Sequence, residues 1–284
     1  MKTPLKPPFD SAGKVSSSGS RPAFPVRLNP DKGNLFTTKL VTAAVRSTSS
    51  TGQKDIKKPL QASASDGVGL GSAARARMIQ RLAEQGVLDA QVLAAMRAVQ
   101  RHHFVDTALA NMAYENTSLP IGFGQTISKP NVVARMLELL QQGVRDASGK
   151  LGRVLEIGTG CGYQAALLSH LASEVYSMER LRGLHEKARE NLRTLRLANV
   201  HLLFGDGMQG FARGAPYAAI IAAAGGETIP PAWIEQLAVG GRLVAPLQDA
   251  SGAQVLVVID KTAQGVRQTL LEAVHFVPLK SGIG

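Results

Sequence analysis

The sequence predicts an α/β protein whose mostly parallel sheet ends in an antiparallel hairpin. From residue 154 onward, short apolar segments alternate with amphipathic helical segments, which is typical of a parallel sheet. A glycine-rich turn at 158–162 joins the first apolar segment to a helix. The last apolar segments, between 242 and 276, follow one another without a helix of useful length, so we expect antiparallel pairing there.

Two helices are predicted before the sheet, at 73–86 and 89–99, with Gly86 ending the first and Asp89 capping the second. The basic residues of this region are interpreted as a solvated helical face, with a polyanion-binding surface as the alternative. They are Arg75, Arg77, Arg81, Arg97 and Arg101.

The remaining elements follow from the apolar periodicity. Strands are predicted at 154–157, 174–179, 200–204, 217–222, 242–246, 254–260 and 269–276, and helices at 131–140, 164–171 and 181–197. The helix at 181–197 is expected to direct an apolar stripe inward, formed by Leu181, Leu184, Ala188 and Leu195.

Composition separates a basic tail from the rest of the chain. The 284 residues are 44% hydrophobic, enough for a sizeable core. Residues 1–70 carry 11 Lys and Arg against 4 Asp and Glu, with few aromatics, so we predict that this tail is disordered. A solvated extension is favoured over a transit-like segment or a nucleic-acid-binding arm. No apolar run approaches the ~20 residues that cross a bilayer.

The glycine-rich turn predicts a nucleotide-like cofactor. Glycines let a ligand approach the backbone, and the start of the following helix offers free N–H groups. Glu156, two residues before Gly158, would repel the pyrophosphate of a dinucleotide. It suits the ammonium and sulfonium of S-adenosyl-L-methionine. The alternative is an ordinary strand-to-helix turn, in which Cys161 is either a reactive thiol or, as we favour, a small residue that fits a tight backbone.

Two further acids end the next predicted strands. Glu179 is well placed to accept from ribose hydroxyls, although by itself it fits equally well as a solvated partner of Arg180. Asp206 either accepts from an adenine amino group or shapes a turn. Three acids at successive strand ends around one glycine loop strengthen the cofactor prediction.

A second dense motif occupies residues 116–130, a loop held in shape by Gly and Pro before the helix at 131–140. Loops of this length tend to be functional. Ser128 and Asn131 either cap that helix or belong to an active site, and the residues alone favour neither role.

Several motifs together resemble the protein-L-isoaspartate O-methyltransferase family. In order along residues 77–279 they are LPIG at 119–122, GQTIS at 124–128, VLEIGTG at 154–160, ER at 179–180, GDG at 205–207 and FVPL at 276–279. Many class I methyltransferases share the glycine motif, whereas LPIG followed by GQTIS is far more specific.

The resemblance implies a doubly wound, Rossmann-like fold with S-adenosyl-L-methionine as methyl donor. The acceptor would be the abnormal carboxylate of L-isoaspartyl or D-aspartyl residues in damaged proteins and peptides. Ser128 would be the catalytic residue, with Thr126 and Ile127 lining the acceptor site. The cofactor-binding residues would be Glu156, Gly158, Thr159, Gly160, Glu179, Asp206 and Gly207, with 276–279 helping to close the pocket.

We therefore expect a disordered tail at 1–70, an N-terminal helical lobe with the active-site loop at 71–150, and the cofactor-binding α/β domain at 151–284. The single cysteine indicates a reducing compartment. A cytoplasmic monomer is expected, without a metal ion and without membrane or nucleic-acid partners.

Three positions depart from the family pattern. Ala218 stands where an acid is usual, Ala223 where threonine is usual, and Cys161 where serine is usual. All three are expected near the cofactor, so we expect activity with weaker cofactor binding.

Three competing functions are less compatible with these residues. A nucleic-acid methyltransferase would use the same cofactor loop and the basic tail, but 224–231 lacks the Asn/Asp-Pro-Pro-aromatic loop common in base N-methylation. Cys161 lies in the wrong element for base C5-methylation. A non-enzymatic peptide- or RNA-binding scaffold is disfavoured by the three cofactor acids, and a nicotinamide dehydrogenase by Glu156 and the glycine spacing.

Overall fold

Two helices, a hairpin and a third helix precede the main sheet in the computed structural model, which describes residues 66–143, 145–146 and 148–284, with side chains from residue 71 on. Helix α1 spans Asp66–Glu84 and α2 spans Ala90–Ala98. The predicted disordered tail thus lies outside the described residues except for its last five, which begin α1. As predicted, Asp89 caps α2, because its side chain accepts from the N–H groups of Gln91 and Val92.

The segment expected to be a loop, residues 116–130, contains a β-hairpin. Strand β1 (Leu119–Gly122) pairs antiparallel with β2 (Gln125–Ile127), and helix α3 (Pro130–Gln141) follows. The two strands are only four and three residues long, too short for periodicity to distinguish them from a loop.

A seven-stranded sheet forms the centre of the fold. Its strands are β3 (Leu151–Ile157), β4 (Ala172–Glu179), β5 (Val200–Phe204), β6 (Tyr217–Ala222), β7 (Leu237–Gln248), β8 (Gln254–Thr262) and β9 (Gly265–Ala273). The order is β5-β4-β3-β6-β7-β8-β9, with β3 to β7 parallel and the last two strands antiparallel. This confirms the predicted fold class, including the antiparallel end.

Three helices connect the parallel strands, namely α4 (Tyr163–Leu171), α5 (Arg182–Arg193) and α6 (Pro231–Gln236). Within the described residues, no helix has both the length and the apolarity needed to cross a membrane. The six-residue α6 was not predicted, because a helix of this length leaves almost no periodic signal.

Strand residues alternate between two core clusters, one on each face of the sheet. Val154 belongs to the cluster that also contains Met96 of α2 and Leu137 of α3. Its neighbour Leu155 belongs to the other, which contains Trp233 of α6. Helices therefore cover both faces, as a doubly wound sheet requires. The N-terminal helices share a continuous core with the sheet instead of forming a core of their own.

Helix α5 is shorter than predicted. It buries Leu184, Ala188 and Leu192, a row with a spacing of four residues. Leu195 is 37% exposed, so the prediction that it points inward is wrong. The helix ends at Arg193, and Arg196 adopts a left-handed φ of 48°. Leu195 therefore lies beyond the helix and leaves the buried row.

Candidate active site

A cavity of about 470 Å³ lies at the carboxyl ends of β3 and β4, beside the point where the strand order reverses. Ligands of open α/β sheets bind at this position, and the volume suits a small-molecule ligand. Most of its wall comes from residues 123–128, 157–161, 178–181 and 277–280. Among the described residues, no group of three or more His, Cys, Asp or Glu side chains is placed to hold a metal ion.

The glycine turn forms one wall of the cavity with its backbone. Gly158, Gly160 and Gly162 have φ values of 89°, 57° and 90°, a region that glycine adopts at little cost. The N–H groups of Gly158 and Thr159 donate to the Met178 carbonyl over 2.9 and 3.2 Å, which joins the turn to the end of β4. Residues 158–160 all line the cavity, so the turn offers its backbone to a ligand.

Glu156 lies beneath this turn and outside the cavity wall. It is fully buried and hydrogen-bonded to the Ser177 hydroxyl, which lies 2.6 Å from Oγ1 of Thr159. Burial raises the pKa of the Glu156 carboxyl to about 8, so it is mostly protonated at neutral pH in the free protein. The sequence led us to expect direct contact between Glu156 and a ligand, but the side chain does not reach the cavity surface. Glu156 instead acts on the glycine turn through Ser177 and Thr159.

Glu156→Gln is expected to remove a pH-dependent loss of stability. The ordinary pKa of a glutamate carboxyl is 4.5, whereas the buried group has a pKa of about 8. Between these values the folded protein keeps a proton that the unfolded chain has released, so the stabilisation is present below pH 4.5 and lost as pH rises to about 8. The glutamine amide does not titrate, so the stability of the variant should not change with pH for this reason. Between pH 5.5 and pH 8, the Tm of the wild type measured by calorimetry should therefore fall by roughly 5 °C or more relative to the Tm of the variant.

Glu174→Gln provides the matched control for this comparison. Glu174 lies near the opposite end of β4, partly exposed, in an ion pair with Arg153 that lowers the pKa of its carboxyl. Its titration therefore falls below the pH window. Equal slopes in the wild type and the Glu156→Gln variant would contradict a buried, protonated Glu156.

Glu179 is the one of the three predicted acids that lines the cavity. It is 5% exposed. One carboxylate oxygen accepts from the Gly160 N–H and the other from the Leu181 N–H, both over 2.9 Å. A carboxylate oxygen accepts two hydrogen bonds, so each oxygen retains a lone pair for a ligand hydroxyl. The strand-end acid predicted from its offset to Gly158 thus lies in the cavity wall.

Asp206 holds the backbone around the cavity without lining it. Its carboxylate accepts from the N–H groups of Met208 and Gly282 over 2.9 and 2.8 Å. The adjacent Gly207 does line the cavity, and a Cβ there would lie 2.6 Å from the Ile157 side chain. Asp206 therefore shapes a turn, one of its two predicted roles, and ties the C-terminal segment to β5.

The C-terminal segment supplies another wall. Val277 and Leu279 exchange backbone hydrogen bonds with Gly225, over 2.9 and 2.7 Å. Residues 277–280 line the cavity. The FVPL motif is thus placed where a closing segment was expected, with Lys280 added and Phe276 outside the wall.

Ser128 lies in the cavity wall between β2 and α3, next to Thr126 and Ile127, which also line it. Its hydroxyl makes no hydrogen bond to another described residue, and α3 has no side-chain cap from its N-cap residue. Instead, Oδ1 of Asn116 accepts from the Asn131 N–H over 3.2 Å. The capping role left open for Ser128 is therefore excluded, and its hydroxyl is available to a ligand.

The tip of the hairpin reaches across the cavity to α5. Phe123 has a left-handed φ of 55°, uncommon for a residue other than glycine. Its ring lies against Gly183, where an added Cβ would be 2.1 Å from Cζ of the ring. Lys187 donates to the Ile121 carbonyl over 2.9 Å. Sequence reasoning missed these contacts because nothing local pairs residue 123 with residue 183.

Gly183→Ala is expected to displace the hairpin tip. A methyl group cannot lie 2.1 Å from the Phe123 ring, so the ring has to move away from α5. We expect S-adenosyl-L-homocysteine, used as a probe of the cavity, to dissociate roughly 10-fold faster in stopped-flow measurements. In a Phe123→Ala background the same substitution should have little effect. An equal effect in both backgrounds would place the cause outside this contact.

Two of the three departures from the family pattern lie at the cavity. Ala223 and Cys161 line it, and burial raises the pKa of the Cys161 thiol, which favours the small-residue interpretation over a reactive thiol. The expectation that Ala218 lies near the cofactor is wrong. It lies at the amino end of β6, against Gly152, whereas the cavity lies at the carboxyl end.

Arg101 differs most from its expected position. The sequence predicts a solvated face, but the side chain is fully buried. After α2 the chain enters the 3-10 turn Arg101–Phe104, which directs the arginine inward toward the Ser128 carbonyl. The helical periodicity used for the neighbouring arginines no longer applies at this position.

Comparisons with known proteins agree with this geometry. The family profile described as "Protein-L-isoaspartate(D-aspartate) O-methyltransferase (PCMT)" matches residues 73–284. A protein-L-isoaspartate O-methyltransferase of Methylibium petroleiphilum is 56% identical over 279 residues, 94% of this chain and 99% of that protein. One from Leptothrix cholodnii is 62% identical over 210 residues, 73% of this chain and 74% of that protein.

Solved structures resemble the chain as well. A protein-L-isoaspartate O-methyltransferase structure superposes with a TM-score of 0.64 at 26% identity, covering 74% of this chain and 67% of that one. A putative enzyme of this kind from Plasmodium falciparum, in complex with S-adenosyl-L-homocysteine, gives a TM-score of 0.62 at 23% identity. It covers 72% of this chain and 97% of that one, and at this identity the likeness shows the fold alone.

Proposed function

Because the chain belongs to the protein-L-isoaspartate(D-aspartate) O-methyltransferase family, we propose that it methylates abnormal carboxylates in damaged proteins. The acceptors are L-isoaspartyl and D-aspartyl residues, the donor is S-adenosyl-L-methionine, and the methyl ester begins repair. One observation carries this proposal: an unengaged serine hydroxyl, Ser128, shares one cavity with a cofactor-type glycine turn.

The residues present fit this cofactor, which supplies an electrophilic methyl group on a sulfonium. Glu179 has a spare lone pair on each oxygen, which suits the paired hydroxyls of a ribose. We assign the methionine part to the backbone of 158–160 and the adenine end to Gly207. Asp206 and Glu156 are assigned supporting roles, since Asp206 holds the Gly207 turn and Glu156 the glycine turn. Residues 277–279 close the pocket.

The acceptor carboxylate needs no general base. Its ordinary pKa is near ~4, so at neutral pH it is ionised before it binds. Ester formation moves no proton, and the work of the protein is to position the carboxylate and remove part of its water. We assign Ser128 to hold one carboxylate oxygen by donating its hydroxyl proton, which leaves the other oxygen free to attack. Thr126 and Ile127 line the site for an extended peptide.

The test is methyl transfer from labelled S-adenosyl-L-methionine to a matched peptide pair, one containing isoaspartate and the other normal aspartate. We expect base-labile methyl esters on the isoaspartyl peptide alone. Transfer to both peptides would contradict the acceptor, and transfer to RNA in place of either peptide would contradict the reaction class. Cofactor affinity is measured in the same preparation, so that a failure of binding is separated from a failure of transfer.

We further propose that the enzyme works as a cytoplasmic monomer. The glycine turn, Glu179 and Ser128 line one cavity within a single chain, which is compatible with a site formed by one subunit. The only cysteine is a buried thiol, which is compatible with a reducing compartment. Light scattering at micromolar concentration should give the monomer mass. A stable dimer would contradict the proposed monomeric state.

Deletion of residues 1–65 is expected to leave methylation of short peptides unchanged. Helix α1 begins at Asp66 and the family profile begins at residue 73, so the deletion spares both. Steady-state rates of the full-length and shortened proteins should agree within about twofold. A collapse of activity would show that the basic tail contributes to the site.

A further inference from the structure

Arg101 is a buried cation directly behind the proposed acceptor site. Its Nε donates to the Ala113 carbonyl over 2.8 Å and its Nη2 to the Ser128 carbonyl over 2.7 Å. The guanidinium carbon lies 5.0 Å from the centroid of the Tyr163 ring, which lines the cavity. The arginine thus connects the backbone of Ser128 to the inner wall of the site.

No described residue supplies an anionic partner for this charge. The groups that act on it electrostatically are Tyr163, Cys161 and Tyr114, and burial raises the pKa of each, to about 12 for Tyr163. All three are neutral at pH 7. Nη1 has no hydrogen-bond partner in the described part of the chain. Arginine remains protonated even when burial lowers its pKa. Arg101 is therefore a buried positive charge without an ion-pair partner among the described residues.

An uncompensated buried charge is costly to the fold, because desolvation is not offset by an ion pair. A carboxylate bound at the Ser128 hydroxyl would supply the missing charge. A cation about 8 Å from a carboxylate, at an effective dielectric constant of about 20, raises the affinity for the anion roughly 30-fold. A neutral ligand of the same shape gains no affinity from this charge–charge attraction.

We propose that Arg101 is the positioning and charge-selecting residue of the acceptor site, holding Ser128 through its carbonyl and favouring an ionised carboxylate over neutral groups. This inference rests on the proposed function of Ser128. The same role explains why the Arg101 guanidinium lies behind Ser128 and does not contact the reacting atoms directly. The carboxylate loses its charge as the ester forms, so a cation in direct contact would stabilise the ground state more than the transition state. The neutral ester is then released without that attraction.

The test compares an isoaspartyl peptide with its carboxamide analogue, which has nearly the same shape but carries no charge. Their affinities are measured with S-adenosyl-L-homocysteine present. In the wild type we expect the carboxylate to bind more tightly. In Arg101→Gln the affinity for the carboxylate peptide should fall roughly 10- to 30-fold, while the carboxamide peptide binds as before. In steady-state kinetics, the KM of the isoaspartyl peptide should rise by a larger factor than kcat falls. Arg101→Lys should restore most of the preference at pH 6.

Equal weakening of both peptides would overturn the inference, since it would indicate a merely structural role, and so would two unchanged affinities. If Arg101→Gln does not fold, the lysine variant decides. A buried lysine has a lowered pKa, so its preference for the carboxylate should fall as the pH rises from 6 to 9, and a constant preference would count against Arg101. A wild type that binds neither peptide, or prefers normal aspartate, would refute the proposed function instead.

Discussion

Replacing Ser128 with alanine is expected to lower kcat on an isoaspartyl peptide roughly 10- to 100-fold, the effect of losing one hydrogen bond to a charged group. The affinity for S-adenosyl-L-homocysteine should stay the same, because the glycine turn and Glu179 are untouched. Rates from methyl transfer and affinities from calorimetry check the two halves of this prediction. The fold should not suffer, since the hydroxyl neither caps α3 nor bonds to another described residue.

Ser118→Ala is the matched control. Ser118 is half-buried like Ser128 and belongs to the same motif, but it does not line the cavity. It should retain the wild-type rate. A parallel loss of turnover and cofactor affinity in Ser128→Ala would contradict a specific role at the acceptor carboxylate and indicate a disturbed loop.

Glu179→Gln is expected to weaken S-adenosyl-L-homocysteine binding by at least ~100-fold. The amide replaces one acceptor oxygen with an NH₂ group, which then faces the N–H of either Gly160 or Leu181. The variant would lose hydrogen bonds to the ribose and also loosen the glycine turn. The ligand-induced rise in Tm, which scales with affinity, should disappear at concentrations that saturate the wild type.

Glu174→Gln, on the same strand β4, controls for the loss of a carboxylate. Glu174 pairs with Arg153 at the partly exposed amino-terminal part of the strand, away from the cavity. It should bind the ligand normally. Normal binding in Glu179→Gln would refute the assignment of the ribose to this acid and would leave the backbone of 158–160 as the main contact of the ligand.

Much of the fold could be predicted because periodicity and turn residues act locally. Strands β5 and β6 lie at their predicted positions, and the antiparallel end follows from the absence of a connecting helix. Errors occurred where the local signal is short or changes its period. The hairpin β1–β2 and helix α6 are too short to show periodicity, and α5 ends before the apolar pattern does.

For the site, residue order was enough to predict which acids stand at strand ends and where the glycine turn lies, since both depend on the order of residues along adjacent parallel strands. Tertiary packing, in contrast, places Glu179 in the cavity wall and Glu156 beneath the turn. It also decided that Asn116 meets the Asn131 N–H, and that Arg101 lies behind Ser128. Burial and hydrogen-bond partnership depend on which distant segments pack together, and no local pattern contains that information.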